Sequence, residues 1–404
     1  MNDYEILDIA AVPAYIAGRP ALAKRIDPGR VTAVREVGDG NMNLVFVVDA
    51  DGQGSVVLKQ SLPWVRIAPD WPVTPDRNGF EANALAAHGA MAPEYVPALY
   101  DADEDRHVIA MEDLSDHRVW RGALIDGLRH EGAAADLGRY VARVAFGTSV
   151  FGLDPADQKA ALARAVNPEL CRITEDLVFT EPYIRHEHNS VLPANEADVA
   201  AYVGDPAVRA AIGAAKLAFM THAEALIHGD LHTGSVLVRA ATGTTPRSTR
   251  AFDAEFAFYG PVGFDLGALW GNFVLAAARA TVLGAADHAA WVLRQASVAW
   301  DAFEAEFRAL WPGRVDPRVF GDGVRDRFLG TVRADAAGFA AAKAARRVIG
   351  FSKVADIETL PEAERAVAVR GVLRSARLLL VDSPRHTDVR RLFDEVGDIL
   401  ATVD

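Results

Sequence analysis

Between Val31 and Gln60 apolar and polar residues alternate with the period of a strand. Val31–Val37 and Leu44–Asp49 are β-rich and are parted by the polar run Gly38-Asp39-Gly40-Asn41. Val56–Lys59 follows the turn Asp51-Gly52-Gln53-Gly54 as a third strand. A Pro- and Trp-rich stretch, Leu62–Pro75, predicts a loop, and a helical pattern opens near Arg77. Tyr95–Tyr100 and His107–Met111 read as two more short strands. From Ala123 the texture changes to long Ala-rich helices, with Ser235–Arg239 and Arg250–Asp253 as the main β-like exceptions and Ala241–Thr249 as a polar hairpin loop. Helical patterns resume at Asp265, and no internal repeat, heptad run or low-complexity tail interrupts them. A β-rich first quarter before a helical remainder predicts an α+β fold of two unequal lobes, residues 1–112 and 113–404. They join near Glu112-Asp113-Leu114, and a ligand cleft is expected between them.

Composition narrows the partners. At 404 residues the chain exceeds the size at which one core keeps growing. A net charge of −13 argues against nucleic acid and anionic membrane as partners, because both need clustered Lys and Arg, whereas a nucleotide needs only a few local donors. The single cysteine, Cys171, allows no intramolecular disulfide and no thiolate zinc cluster, and is expected to be a small buried hydrophobe. Met1–Ala11 lacks the basic head and apolar stretch of a signal peptide, and no run approaches ~18 charge-free apolar residues, so a cytoplasmic protein is expected.

The strongest chemical signal is His228-Gly229-Asp230-Leu231-His232-Thr233-Gly234-Ser235, followed by a short strand, a polar turn and Phe252-Asp253-Ala254-Glu255. Phosphoryl transfer needs one carboxylate to accept or orient the attacking hydroxyl and others to hold Mg²⁺ against the phosphates. Asp230 before a hairpin and Asp253 at its end would supply both from adjacent segments, as H-R-D-x-x-x-x-N and D-F-G do in protein kinases. His-Gly-Asp alone could be an ordinary turn. Three further features stand in the order a kinase requires. Gly38–Asn43, with Gly40, Asn41 and Asn43, could approach phosphate oxygens. Lys59 ends a strand that would point its ammonium into the cleft. Glu81 on the next helix could pair with Lys59. Singly these are a hairpin, a strand-end lysine and a solvated acid; their order predicts a protein-kinase-like fold with a small β-rich N-lobe and a large mainly helical C-lobe. Glu112, Asp113 and Leu114 fall where backbone groups would hold adenine. His228 is expected to brace the catalytic loop, and Asp265 to cap a helix and anchor that loop.

Longer motifs carry a closer resemblance. Gly38–Phe46, Trp71–Thr74, Asn167–Thr180, His228–Ser235, Glu255–Asp265 and the Arg346-Arg347 pair together resemble the 5-methylthioribose kinases, over residues 30 to 380. The wider superfamily is that of aminoglycoside phosphotransferases and choline kinases. The resemblance implies transfer of the ATP γ-phosphate to the 1-hydroxyl of 5-methylthioribose in methionine salvage, with Mg²⁺ and a homodimeric enzyme. Asp230 would then act on the sugar hydroxyl, Asp253 and Glu255 would hold metal–ATP beside Ala254, and Asn43 and Lys59 would contact phosphates. Arg346 and Arg347 would reach the sugar, although adjacent helical residues point ~100° apart.

Two positions depart from the pattern. Ser235 replaces the superfamily's metal-binding Asn, as the methylthioribose kinases do, which shifts metal holding towards Asp253 and Glu255. Ala254 stands where Pro is expected, which removes no ligand. An antibiotic phosphotransferase is the near alternative, but the arginine pair conflicts with a polycationic substrate. A non-catalytic nucleotide-binding pseudokinase would be expected to lack Asp230, Asp253 or Lys59, and all three are present.

Overall fold

In the computed structural model, residues 5–38, 42–66, 68–383 and 386–403 are described. Gly40 and Asn41 lie outside them. The first lobe holds β1 (Val31–Glu36), β2 (Asn43–Ala50), β3 (Gly54–Ser61), a small hairpin of β4 (Trp64–Val65) and β5 (Ala68–Pro72), β6 (Leu99–Asp103) and β7 (Val108–Glu112). Five of these form an antiparallel sheet in the order β1-β2-β3-β7-β6. The period of two decides where Lys59 points. Val56 and Leu58 on β3 join Phe46, Val48, Val108 and Ala110 in a core covered by α1 (Val12–Ala17) and α2 (Pro20–Arg25), through Val12, Ile16 and Leu22. Lys59, one residue on, must face the opposite side, towards α3 (Arg77–Met91) and its Glu81. Burying Leu58 fully contributes ~1.5–3 kcal/mol, so the core fixes the register that aims the lysine.

The second lobe is mainly helical. Its centre is the helix Gly263–Val282, flanked by Ala286–Leu310 and Asp322–Ile349. Gly263, Gly267 and Gly271 recur every four residues along the face that meets Asp322–Ile349. A Cβ on any of them would come within 2.6–2.7 Å of that helix, against Val332 O, Phe339 Cβ or Ala340 O. Small residues on both sides, including Ala336, Ala340 and Ala344, let the two backbones approach closely. The helices run side by side in the same direction, so Lys343 is packed against Gly271, and its Nζ reaches back to 4.5 Å from the centre of the Phe264 ring. Two short antiparallel pairings set the site loops side by side: Val236–Arg239 with Ser248–Ala251, and Ala225–Ile227 with Phe258–Gly260. Residues 228–235 and 252–257 are the segments between them.

Some boundaries differ from the sequence expectation. Leu62–Pro75, expected as a loop, contains the β4–β5 hairpin. The strand expected over Tyr95–Tyr100 starts at Leu99, because Pro93–Tyr95 forms a 3₁₀ turn. The strand expected to reach Asp253 ends at Ala251, and Asp253 adopts a left-handed φ of 67°. Cys171 is only half-buried, with its Sγ facing the Val166 carbonyl, and burial pushes its thiol up to about 12. Among the described residues no helix is long and apolar enough to cross a membrane.

Candidate active site

The loop carrying Asp230 is fixed by backbone chemistry. Gly229 takes φ 80°, and both the His228 and Gly229 amides donate to the Asp265 carboxylate at 2.8 and 3.0 Å. Asp265 therefore anchors the loop. It makes no cap of its own helix, being that helix's third residue with its oxygens turned back to residues 228 and 229. His228 braces the same loop: Nε2 lies 2.9 Å from the Phe252 carbonyl, and Nδ1 accepts from the Asp230 amide.

Asp230 has two side-chain partners. Lys343 Nζ donates to Oδ1 at 2.7 Å, and His232 Nε2 lies 3.3 Å from Oδ2. His232 Nδ1 accepts from the Gly234 amide at 3.1 Å, so the Nε2–H tautomer faces Asp230. Burial alone would raise the Asp230 carboxyl, but Lys343 and then His232 outweigh it and hold it well below the carboxylate range. Burial drives His232 down to about 4, so it is a neutral donor near neutral pH. An ionised, doubly tethered carboxylate of this kind orients a hydroxyl better than it abstracts a proton. Ser235 Oγ lies 3.1 Å from His232 Nδ1, which places it with the loop's internal bonds.

Facing this loop are two ion-pair systems. Lys59 is bonded to Glu81 at 2.8 Å and also to Asp253. Burial opposes the Lys59 ammonium, yet Asp253 and Glu81 push its pKa up, and Lys59 in turn pulls Asp253 down. The Asp253 side chain remains 41% exposed. Glu255 Oε2 receives Asn43 Nδ2 and Arg77 Nε, each at 3.1 Å. Arg77 is fully buried and also donates to the Leu62, Thr74 and Met42 carbonyls. Oxygens of Glu81, Asp253 and Glu255 lie within 4.8 Å of one another. A set of hard carboxylate oxygens suits Mg²⁺, and the Asn43 and Arg77 bonds both fall on Glu255 Oε2 rather than Oε1. Ala254 between them is buried in a small apolar cluster.

At the crossover, Glu112 ends β7 and accepts from the Ala98 amide, Asp113 accepts from Ser55 Oγ at 2.6 Å, and Leu114 is buried. On the far side of Asp230, Arg346 and Arg347 are both buried, at 7% and 6% exposure, despite their angular separation on the helix. Arg347 donates to the carbonyl and hydroxyl of Ser352. Arg121 pairs with Asp356 at 3.2 Å and bonds Asn272.

Sequence reading missed Arg77, Arg121, His232 and Lys343. Lys343 left a signal: it is a lone cation in the run Ala340–Ala345, three and four residues before the arginine pair, so all three share one helical side. Arg77 left none, because an arginine at a helix start is ordinarily solvated.

The model of the phosphotransferase enzyme family matches residues 33–297. The methylthioribose kinase of Cronobacter sakazakii is 42% identical over 366 residues, covering 89% of this chain and 90% of that protein. That of Klebsiella pneumoniae is 41% identical over 385 residues, 93% of each. The chain belongs to the methylthioribose kinase family. Among solved structures, a choline/ethanolamine kinase family protein from Mesorhizobium loti aligns over 97% of this chain and 98% of its own, at 16% identity and a TM-score of 0.45. Within the family assignment, the conjunction of Lys59, Glu81, Asp253 and Glu255 on one side of Asp230 and of cations on the other is the geometry to be explained.

Proposed function

We propose that this protein transfers the γ-phosphate of ATP to the 1-hydroxyl of 5-methylthioribose, giving the 1-phosphate in methionine salvage. The observation that carries the reading is Asp230, ionised and held by Lys343 and His232 between an acidic metal-type cluster and buried arginines. The names of relatives about 40% identical along nearly the whole chain support the same substrate.

In this mechanism Asp230 accepts a hydrogen bond from the sugar hydroxyl and aligns it with the phosphorus, so that positioning and charge placement supply most of the catalysis. Asp253 and Glu255 hold Mg²⁺, which when bound neutralises charge on the phosphates. Lys59, fixed by Glu81, contacts the phosphates with Asn43, Gly40 and Asn41, and the Glu112–Leu114 backbone takes adenine. Arg346 and Arg347 serve the sugar side. The lobes divide at 112/113, the enzyme is a cytoplasmic homodimer, and light scattering on the purified protein checks that last point.

An antibiotic-type phosphotransferase is disfavoured, because Arg121, Lys343, Arg346 and Arg347 would repel a polycation. A pseudokinase reading is disfavoured by the retained pairing of Lys59 with Glu81 and Asp253. Coupled assay of ADP release over a panel of 5-methylthioribose, 5-deoxyribose and aminoglycosides tests the proposal. Preference for an antibiotic, or no turnover of any sugar, would reject it.

A further inference from the structure

Three ligand-type side chains that phosphoryl transfer does not use meet just upstream of the catalytic loop. His222 follows the helix Pro206–Thr221, its amide donating to the Ala218 carbonyl at 2.9 Å. Glu224 precedes the strand Ala225–Ile227, and its Oε2 accepts from the Val262 amide at 2.9 Å. Asp335 lies on Asp322–Ile349, at the point where Gly263 leaves room for its Cβ. One donor atom from each residue lies within 4.8 Å of the other two, and His222 Nδ1 is 3.3 Å from Asp335 Oδ2.

The cluster is short of positive charge. Among the described residues neither Glu224 nor Asp335 pairs with a lysine or an arginine, and His222 is the one ionisable cation beside them. Burial pushes the Glu224 carboxyl up to about 6, opposed by the Val262 amide and aided by Asp335, and burial raises Asp335 as well. A divalent cation would supply the missing charge and use the spare carboxylate oxygens together. One imidazole nitrogen with two carboxylate oxygens is a set that zinc accepts, whereas Mg²⁺ prefers oxygen alone. Bonds of ~2.0–2.2 Å at tetrahedral angles place neighbouring ligand atoms ~3.3–3.5 Å apart. His222 and Asp335 already stand at that separation. The other histidine-containing set, Glu181, His186 and His188, is bonded within itself: His188 Nδ1 lies 2.8 Å from Glu181 Oε2, and His186 Nδ1 accepts from the His188 amide at 3.2 Å.

We propose that His222, Glu224 and Asp335 form a binding site for a divalent transition-metal ion of the zinc type, with water as the fourth ligand. The ion is structural, and it ties together three elements that serve the catalytic loop. The strand Ala225–Ile227 runs directly into His228, Val262 leads into the helix that supplies Asp265, and Asp335 stands on the helix that carries Lys343. The site shares no residue with the Glu81, Asp253 and Glu255 set, and it does not depend on which acceptor is phosphorylated.

Calorimetric titration of the full-length protein, stripped of metal by a chelator, tests this with zinc chloride as the probe and excess Mg²⁺ present to fill the catalytic carboxylates. One Zn²⁺ should bind per chain and raise Tm, because it binds the folded chain in preference to the unfolded one. Co²⁺ in its place should give the intense visible bands of a four-coordinate ion. His222→Ala and Asp335→Asn should each weaken Zn²⁺ at least tenfold and abolish the rise in Tm. Glu224→Gln keeps a carbonyl oxygen for the Val262 amide, so it should lose Zn²⁺ affinity to the same extent while the metal-free protein melts with wild type. His186→Ala should leave Zn²⁺ affinity unchanged. No saturable Zn²⁺ binding in the presence of Mg²⁺, affinity unaltered by all three ligand variants, or loss in His186→Ala alone would overturn the site.

Discussion

Gly229→Ala isolates the placement of the catalytic loop without touching any charged group. Gly229 has φ 80°, where an L residue costs roughly 1–2 kcal/mol. The larger effect is steric: a Cβ would stand 2.1 Å from the Phe256 carbonyl oxygen and 2.6 Å from its carbon. Since real Cβ contacts essentially never fall below 3.0 Å, the two backbones must part by about 1 Å. The Phe256 segment is held through Asn167, which donates to the Glu255 and Ala257 carbonyls at 2.8 and 3.0 Å, so the 228–230 loop is the side that yields. Its displacement stretches the two bonds to Asp265 and moves Asp230, the next residue, off its line. A 1 Å error in a positioning group costs about 10²-fold in rate, or ~2.7 kcal/mol. We expect kcat to fall about a hundredfold while ATP affinity stays within about threefold, measured by steady-state kinetics and nucleotide titration, with a melting curve as control. A folded Gly229→Ala enzyme retaining over half its rate would refute the argument that loop geometry controls Asp230.

Other outcomes follow from the same geometry. Arg77→Met leaves Glu255 buried without its cation and should cost about 3–5 kcal/mol of stability, read by chemical denaturation; an unchanged midpoint would show the pair is not structural. Asp253→Asn should raise the Mg²⁺ concentration needed for half-maximal rate as well as lower kcat, and a Mg²⁺ titration superimposing on wild type would exclude it as a ligand. Burial lowers the Lys343 amine from 10.5 to about 8 despite Asp230. The rate should therefore fall with an alkaline midpoint near 8, and Lys343→Arg should move that limb upward; an unmoved limb would assign it to another group. The sign for stability is opposite. Between about pH 8 and 10.5 the unfolded chain holds the Lys343 proton more tightly than the folded one, so this group's contribution to stability rises with pH across that window.

How much of this was legible depends on whether a residue's role is set locally or across the fold. Lys59 was readable because the strand period and the apolar residues Val56 and Leu58 leave it one side to face. Asp230 and Asp253 were readable because they sit in short motifs whose spacing follows from a hairpin. The β4–β5 hairpin was obscured by its prolines and by its two-residue first strand. Arg77 and Lys343 were hidden for a different reason: their partners Glu255 and Asp230 lie 178 and 113 residues away. Nothing in the pattern around Arg77 distinguishes a buried, paired cation from a solvated one, and the alanines around Lys343 hint at burial without pointing to its partner. The role of Asp265 was half legible, since its position near a helix start suggested a cap, while its oxygens turn to a loop more than thirty residues earlier in the chain.

The central claim is that Asp230 directs ATP's terminal phosphoryl group to the sugar's anomeric oxygen. Phosphorus NMR of the purified protein with ATP, Mg²⁺ and 5-methylthioribose, run beside Asp230→Ala, tests it most directly. The account predicts a new phosphate monoester resonance coupled to the anomeric proton, formed with one ADP per sugar, and a rate lower by several orders of magnitude in the variant with ATP affinity within about threefold. A monoester on another oxygen, no monoester at all, or an Asp230→Ala enzyme keeping a tenth of its rate would contradict it.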